Sequence, residues 1–203
     1  THIRHSEKVF NMKRLLLMLI LTLNFQTLAK ADDISDFEIE EISIGDSLLD
    51  HFNLEEIKNL DNISYPDKKY IFANLENYGI QYDRLQIGYK NNDNTYEIHL
   101  LNGVILFEDN NINKCYSKLN KIKNSIESSS SEIKFSDPSN FKQKLPSNPK
   151  EINVRAISAS LSNGHIILYC NDHPVENNKN DRLKVQMETS IMKKYLLSQG
   201  GKG

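Results

Sequence analysis

The chain of 203 residues lacks tryptophan and has only two cysteines and eight glycines. Two cysteines exclude a disulfide-rich scaffold, and so few glycines leave little room for a phosphate loop or a dinucleotide fingerprint, neither of which occurs. The 25 basic residues do not outnumber the 27 acidic ones, so the charge pattern of a nucleic-acid-binding protein is missing. Neither the G-x-S-x-G pattern of hydrolases nor the H-E-x-x-H pattern of zinc proteases is present. Composition and motifs therefore exclude several functions without naming one.

The beginning of the chain predicts an export signal. Lys13 and Arg14 precede an apolar run at 15–23, and the small residues Ala29 and Ala31 suit a signal-peptidase site. The run is about half of the roughly 20 apolar residues that a membrane-spanning helix needs. We therefore expect cleavage after Ala31 and a periplasmic or secreted protein, with an uncleaved anchor as the alternative.

This signal divides the chain. We interpret residues 1–11, which precede Met12, as upstream translation, 12–31 as the signal peptide, 32–199 as one domain and 200–203 as a flexible tail. Residues 1–31 contain five of the basic residues and one of the acidic ones, so the remaining chain has a net charge of about −6. That charge favours solubility and disfavours binding to polyanions or anionic lipid by charge alone. After signal cleavage no apolar run is long enough to span a bilayer.

Hydrophobic periodicity predicts an α+β domain. Alternating patterns predict strands at 37–44, 85–89, 96–100, 152–161, 165–171 and 183–188. Patterns of three and four predict helices from Asn53, at 112–126 and at 190–197. Because the strands arrive in hairpins separated by single helices, we expect a mainly antiparallel sheet with helices packed on one face, which is a two-layer sandwich.

Three connections carry further expectations. Asn102–Gly103 lies between apolar runs and predicts either a tight hairpin turn, which we favour, or a bulge in one long strand. Ser162, Asn163 and Gly164 predict a type I′ turn between two strands. The polar, proline-containing stretch 128–150 predicts a mobile connection with room for a short strand at 133–135.

The two cysteines predict a crosslink. Cys115 falls on the apolar face of the helix at 112–126, and Cys170 shares a strand face with Ile166 and Leu168. In an oxidising compartment we favour a disulfide between them over two buried free thiols. The absence of a C-x-x-C pattern disfavours redox catalysis.

A few polar residues are candidates for a site. They are Glu97, His99, His165, Asp172 and His173. Glu97 and His99 share a strand face in the predicted hairpin, which allows a carboxylate–imidazole pair, and Asp172 adjoins His173. We favour the interpretation that each of these two pairs is a surface contact. The histidines lack the spacing of a metal site, so we expect no metal and no cofactor.

The sequence KADDISDFEIE at 30–40, running into SIGDSLLD at 43–50, resembles an uncharacterised family of short secreted proteins from Pelagibacter-like marine alphaproteobacteria. Similar proteins carry a mid-chain helix with one cysteine, here Cys115, a strand with another, here Cys170, and a closing strand and helix, here from Arg182 to Leu197. The resemblance covers most of the mature chain but neither 128–150 nor the glycine tail. It supports export and the disulfide, and it implies no activity.

Three functional hypotheses follow. We favour a non-catalytic exported module that binds another envelope protein or a small ligand, because every motif has a structural interpretation. The alternative is a small hydrolase-like enzyme whose site assembles only in the fold, from Glu97, His99, His165 or Asp172. Such a site requires these residues to lie within a hydrogen bond or one water of each other. A structural protein with no ligand is a third, weaker hypothesis.

Overall fold

A computed structural model describes residues 33–76, 78–144, 151–174 and 180–200. The predicted upstream segment, signal peptide and cleavage site lie outside the described residues, as do the last three residues of the predicted tail. Within the described residues, no helix has both the length and the apolar character that crossing a membrane requires.

After a short 3-10 helix at Ile34–Asp36, the chain forms a small hairpin instead of the single strand predicted at 37–44. Strands β1 (Glu38–Ile39) and β2 (Ile42–Ser43) pair antiparallel. Between them Glu40 has a φ of 53° and Glu41 a φ of 65°, which are the left-handed values of a type I′ turn. Glutamate seldom takes a positive φ, so the sequence gives no sign of this reversal.

Capping residues place the first α-helix where the sequence predicts it. Helix α1 (Leu54–Asn59) begins after Asn53, whose side chain accepts hydrogen bonds from the backbone N–H groups of Glu55 and Glu56. The carboxylate of Glu56 in turn accepts from the backbone N–H of Asn53 at 2.8 Å. The capping box is therefore confirmed.

One eight-stranded antiparallel sheet forms most of the fold. Its strands are β3 (Asp61–Ser64), β4 (Tyr70–Glu76), β5 (Arg84–Lys90), β6 (Ile98–Phe107), β7 (Ser139–Lys144), β8 (Glu151–Ser160), β9 (Gly164–Asp172) and β10 (Asp181–Thr189). Their spatial order is β3-β4-β5-β6-β10-β9-β8-β7. Two longer helices are α2 (Ile112–Ser129) and α3 (Ser190–Ser198). The α+β class and the antiparallel sheet are confirmed.

The main core lies between one face of the sheet and α2. Buried side chains such as Leu168 and Leu183 line this face. Cys115 of α2 and Cys170 of β9 are both fully buried, and their Cα atoms lie 5.9 Å apart in a disulfide-bonded pair. The predicted cysteine pair is therefore at disulfide distance.

Helix α3 lies on the opposite face, which departs from the expectation that all the helices share one face, whereas Ile57 of α1 joins the same core as α2. Two buried residues of α3 join a second apolar cluster on that face, whose members are Met192, Tyr195, Tyr70, Phe72 and Leu100. Thr189 both ends β10 and caps α3, with its hydroxyl accepting from the backbone N–H of Met192. Strand and helix thus meet without a loop.

Asn102–Gly103 forms neither the hairpin turn that we favour nor the alternative bulge. β6 runs through it unbroken and pairs in register with β10 from Leu100 to Phe107. The only irregularity along the described β5–β6 pair is at the start of β6, where His99 has no register partner on β5. A Cβ at Gly103 would lie within 3.0 Å of the Tyr82 ring, so this glycine makes room and does not mark a turn.

Two further expectations are corrected. Residues 133–135 form no strand; the strand of this connection is β7, which pairs with β8. The hairpin between β8 and β9 is confirmed, but its turn is not type I′, because neither Asn163 nor Gly164 has a positive φ.

Candidate binding site

His165 is not brought together with Asp172 and His173. His165 lies at the start of β9 and Asp172 at its end, seven residues or about 23 Å along an extended strand. His173 is buried beyond the strand, where its backbone N–H donates to Asp181 at 2.9 Å. These positions separate the members of the hydrolase-like grouping.

Glu97 and His99 do not form the carboxylate–imidazole pair. No hydrogen bond or ion pair joins the two side chains in the described structure, and His99 Nδ1 is buried without a hydrogen-bond partner there. The His99 ring packs edge-on against Tyr70, with centroids 5.7 Å apart. Glu97 is exposed and bridges by its backbone to Ser47. None of the predicted polar residues lines the pocket that we describe next, although His165 Nδ1 lies 3.4 Å from Nζ of Lys193, which does line it.

The face of the sheet opposite α2 forms a pocket of about 440 Å³. Ile63 of β3 and Phe141 of β7 both line it, although these strands are the two edges of the sheet. The sheet is therefore curled around the pocket. Lys193 and Leu196 of α3 line the pocket as well. The volume falls within the range of small-molecule sites.

Strand β10 supplies the polar floor of this pocket. Arg182, Lys184, Gln186 and Glu188 all line it and alternate with buried apolar residues of the core face. Successive residues on one face of a strand are about 6.7 Å apart. The floor thus passes from two cations, through an amide, to an acid.

A row of amide side chains crosses the floor at the level of Gln186. Asn102 Nδ2 donates to Gln86 Oε1 at 3.0 Å, and Gln86 Nε2 donates to Asn74 Oδ1 at 2.9 Å. Asn74 Nδ2 then donates to the Asp61 carboxylate at 3.1 Å. Every amide of the row therefore donates toward Asp61, whose carboxylate oxygen is the last acceptor.

This direction leaves one buried acceptor without a donor. Asn102 is 2% exposed, and no described residue donates to its Oδ1. Its cross-strand neighbour Gln186 turns its amide nitrogen to Glu188, at 2.7 Å from Oε2. An unpaired buried acceptor costs about 1–3 kcal/mol. A ligand with an N–H or O–H group at this point would recover that free energy.

Glu188 is a buried acid two residues beyond Gln186 on β10, and its carboxylate accepts the Gln186 hydrogen bond. It is 1% exposed, and burial raises the pKa of its carboxyl, against the opposing effects of the Gln186 hydrogen bond and of Lys193 and Lys184. His165 lies directly opposite Glu188 in the β9–β10 register. Burial, followed by the charge of Lys193, lowers the pKa of the His165 imidazole.

Arg182 and Lys184 form the cationic end of the pocket. Neither has an ion-pair partner among the described residues. Burial, followed by the charge of Arg182, lowers the pKa of Lys184 to about 8, and its ammonium lies 5.6 Å from the centre of the Tyr169 ring. Burial, followed by the charge of Arg84, lowers the pKa of Arg182. An anion placed here would relieve the repulsion among these cations.

We expect Glu188→Gln to flatten the pH dependence of stability. Folding raises the pKa of Glu188 above 4.5. Between the unfolded and the native pKa, the carboxyl is therefore protonated in the native state and ionised in the unfolded chain. The free energy of unfolding therefore falls as the pH rises from about 4.5 through the native pKa. The variant has no such proton, and urea unfolding between pH 4 and 8 measures the difference. The exposed Glu108→Gln is the matched control, and parallel profiles for Glu188→Gln and the unmutated protein would contradict the prediction.

The floor of this pocket could not be predicted from the sequence. Its members Gln86, Asn102, Gln186 and Glu188 each occupy polar positions in strands that also bury apolar residues. That alternation is visible in the sequence. The sequence does not show that these four side chains become neighbours. Their proximity depends on the order of the strands, in which β10 lies between β6 and β9.

Comparisons with known proteins give no relative from which a function could be taken. No protein-family model, curated protein or solved structure matches the chain. Within the described part of the chain, no group of three or more His, Cys, Asp or Glu side chains is placed to hold a metal ion. The pocket geometry is therefore the basis for a functional proposal.

Proposed function

We propose that this protein is an exported, non-catalytic binding module whose pocket on the open face of the sheet takes a small polar ligand. The observation that carries the proposal is the buried Asn102 Oδ1, which lacks a donor among the described residues and lies on the floor of a 440 Å³ pocket. A buried acceptor without a donor in the protein destabilises the fold unless a ligand or a water molecule donates a hydrogen bond to it.

Two observations support this function. The cations Arg182 and Lys184 line the same pocket without acidic partners in the described residues, so the pocket offers complementary charge as well as hydrogen bonds. Export rests on the charged and apolar pattern before Ala31 and is consistent with the cysteine pair, since disulfides persist in oxidising compartments. The intact mass of protein recovered from a bacterial periplasm checks export, because it should correspond to a chain that starts at Asp32.

A thermal-shift screen tests the binding function. Purified protein is heated with amino acids, short peptides, sugars, nucleotides, osmolytes and divalent metals. A compound that binds only the folded state and is present at one hundred times its Kd stabilises that state by about 2.7 kcal/mol. This corresponds to a rise in Tm of about 5 to 10 °C.

A pair of lysine variants locates any binding that is found. Lys184→Met should abolish the shift, because it removes a charge from the pocket floor while keeping the length of the side chain. Lys121→Met alters an exposed lysine of α2, on the other side of the sheet, and should retain the shift. A screen with no saturable shift, or a shift that both variants retain, would overturn the proposal.

A further inference from the structure

The floor of the pocket has two chemically different ends. At one end Arg182 and Lys184 can bind an anion. At the other end Asn102 Oδ1 and the Glu188 carboxylate accept hydrogen bonds. Gln186 lies between the two ends, and its nitrogen is already used on Glu188. A ligand that satisfies both ends must therefore carry an anionic group and, separated from it, a group rich in N–H donors.

We infer, on the basis of the proposed function, that the ligand is a zwitterion of dipeptide length, with its carboxylate on Arg182 and Lys184 and its ammonium group on Asn102 Oδ1 and Glu188. An ammonium has three donors and no acceptor, which suits a buried amide oxygen beside a carboxylate. A carboxylate accepts two charge-assisted hydrogen bonds from a guanidinium. Both ends of the pocket are satisfied by one molecule.

The spacing of the floor selects the length of this ligand. Lys184 and Gln186 are two residues apart on one face of β10, which is about 6.7 Å along the strand. Asn102 lies opposite Gln186 in the register, so it marks the far end of this interval. Two residues of extended peptide span about 7 Å. A single amino acid covers about half of that interval.

The walls of the pocket suit apolar side chains. Phe72, Leu100 and Leu196 line the end near Glu188, and Phe141 lines the wall supplied by the edge strand β7. An apolar side chain on each residue of the dipeptide would lose contact with water against these walls. Leucyl-phenylalanine is therefore the probe that we choose.

Calorimetric titration with four probes tests the inference. Leucyl-phenylalanine is expected to bind saturably. Leucyl-phenylalanine amide, which lacks the carboxylate, and N-acetyl-leucyl-phenylalanine, which lacks the ammonium group, are each expected to bind about tenfold to a hundredfold more weakly, as is typical of losing a charged hydrogen bond. Free phenylalanine, which cannot reach both ends, is expected to bind more weakly than the dipeptide.

Lys184 variants separate a direct contact from an indirect effect. In Lys184→Met the preference for leucyl-phenylalanine over its amide should fall, whereas Lys121→Met should keep that preference.

Lys184→Arg keeps the positive charge at every pH used. The affinity of the unmutated protein relative to Lys184→Arg should be constant below about pH 7 and should fall above pH 8, where Lys184 loses its proton. The groups that face Lys184 on this side of the sheet are Arg182, Glu188, Tyr169, Arg84 and Lys193.

The outcomes distinguish this inference from the proposed function. Equal affinity for the dipeptide, its amide and its acetyl derivative would overturn the zwitterion. Absence of dipeptide binding, together with a Lys184-dependent shift from a sugar or a nucleotide, would also overturn the zwitterion and leave the binding function standing. Absence of binding by every class of compound would overturn both.

Discussion

Replacing both Cys115 and Cys170 by alanine is expected to lower the free energy of unfolding by about 4 kcal/mol. The two residues are separated by 55 positions, and the loss corresponds to the chain entropy that a crosslink of this span removes from the unfolded state. For a domain of this size the same loss lowers Tm by about 10 °C. Urea unfolding of the oxidised protein and of the double variant measures the difference.

Reductant provides the control for this prediction. With the thiols reduced, the unmutated protein and the double variant should unfold at nearly the same urea concentration, because neither then has a crosslink. Both cysteines are fully buried, so any small difference that remains in reductant reflects the packing that alanine removes. A difference that persists undiminished in reductant would assign the stabilisation to packing and contradict a role for the disulfide.

Gly164→Ala is expected to lower the free energy of unfolding by about 2 to 3 kcal/mol, near the upper end of the usual cost of overpacking. A Cβ at this position would collide with the backbone carbonyl oxygen of Glu188 and press against Ile34. The carbonyl belongs to the paired strand β10, where Thr189 and Gly164 are register partners. A backbone atom in a central strand cannot swing away as a flexible side chain can.

Two other substitutions distinguish crowding from backbone strain. Gly45 has a φ of 94°, but a Cβ added there would meet no atom of the described residues within 4 Å, so Gly45→Ala should cost only about 1 to 2 kcal/mol of left-handed strain. Replacing asparagine by glycine stabilises a type I′ turn, where the residue has a positive φ. Because Asn163 has no positive φ, Asn163→Gly should not stabilise this protein. A larger loss from Gly45→Ala than from Gly164→Ala, measured by urea unfolding, would contradict the crowding argument.

Local signals in the sequence predicted most of the secondary structure. The capping box at Asn53, the helix around Cys115 and the alternation from Leu183 to Glu188 each depend on near neighbours in the chain, and each is confirmed. Glycine was less informative. Gly103 and Gly164 suggested turns with special backbone angles, whereas both provide space for a neighbouring element. That distinction depends on tertiary contacts that the sequence does not reveal.

The candidate site was harder to predict than the fold. Histidines drew attention because their chemistry is distinctive, yet most of the polar side chains that line the pocket are amides and cations, and His165 only contacts one of them, Lys193. The hydrogen-bond row from Asn102 to Asp61 joins four strands. Its members are scattered between positions 61 and 102 and become neighbours only through the strand register.

The cysteine pair also has a consequence for proteolysis. The crosslink joins α2 to β9 and encloses β7 and β8 within its loop. A protease that cuts the chain between Lys144 and Glu151 would therefore produce two fragments that remain covalently attached. The cut protein would migrate as one species in a non-reducing gel and as two after reduction, and the strands on either side of the cut would stay anchored to the same core.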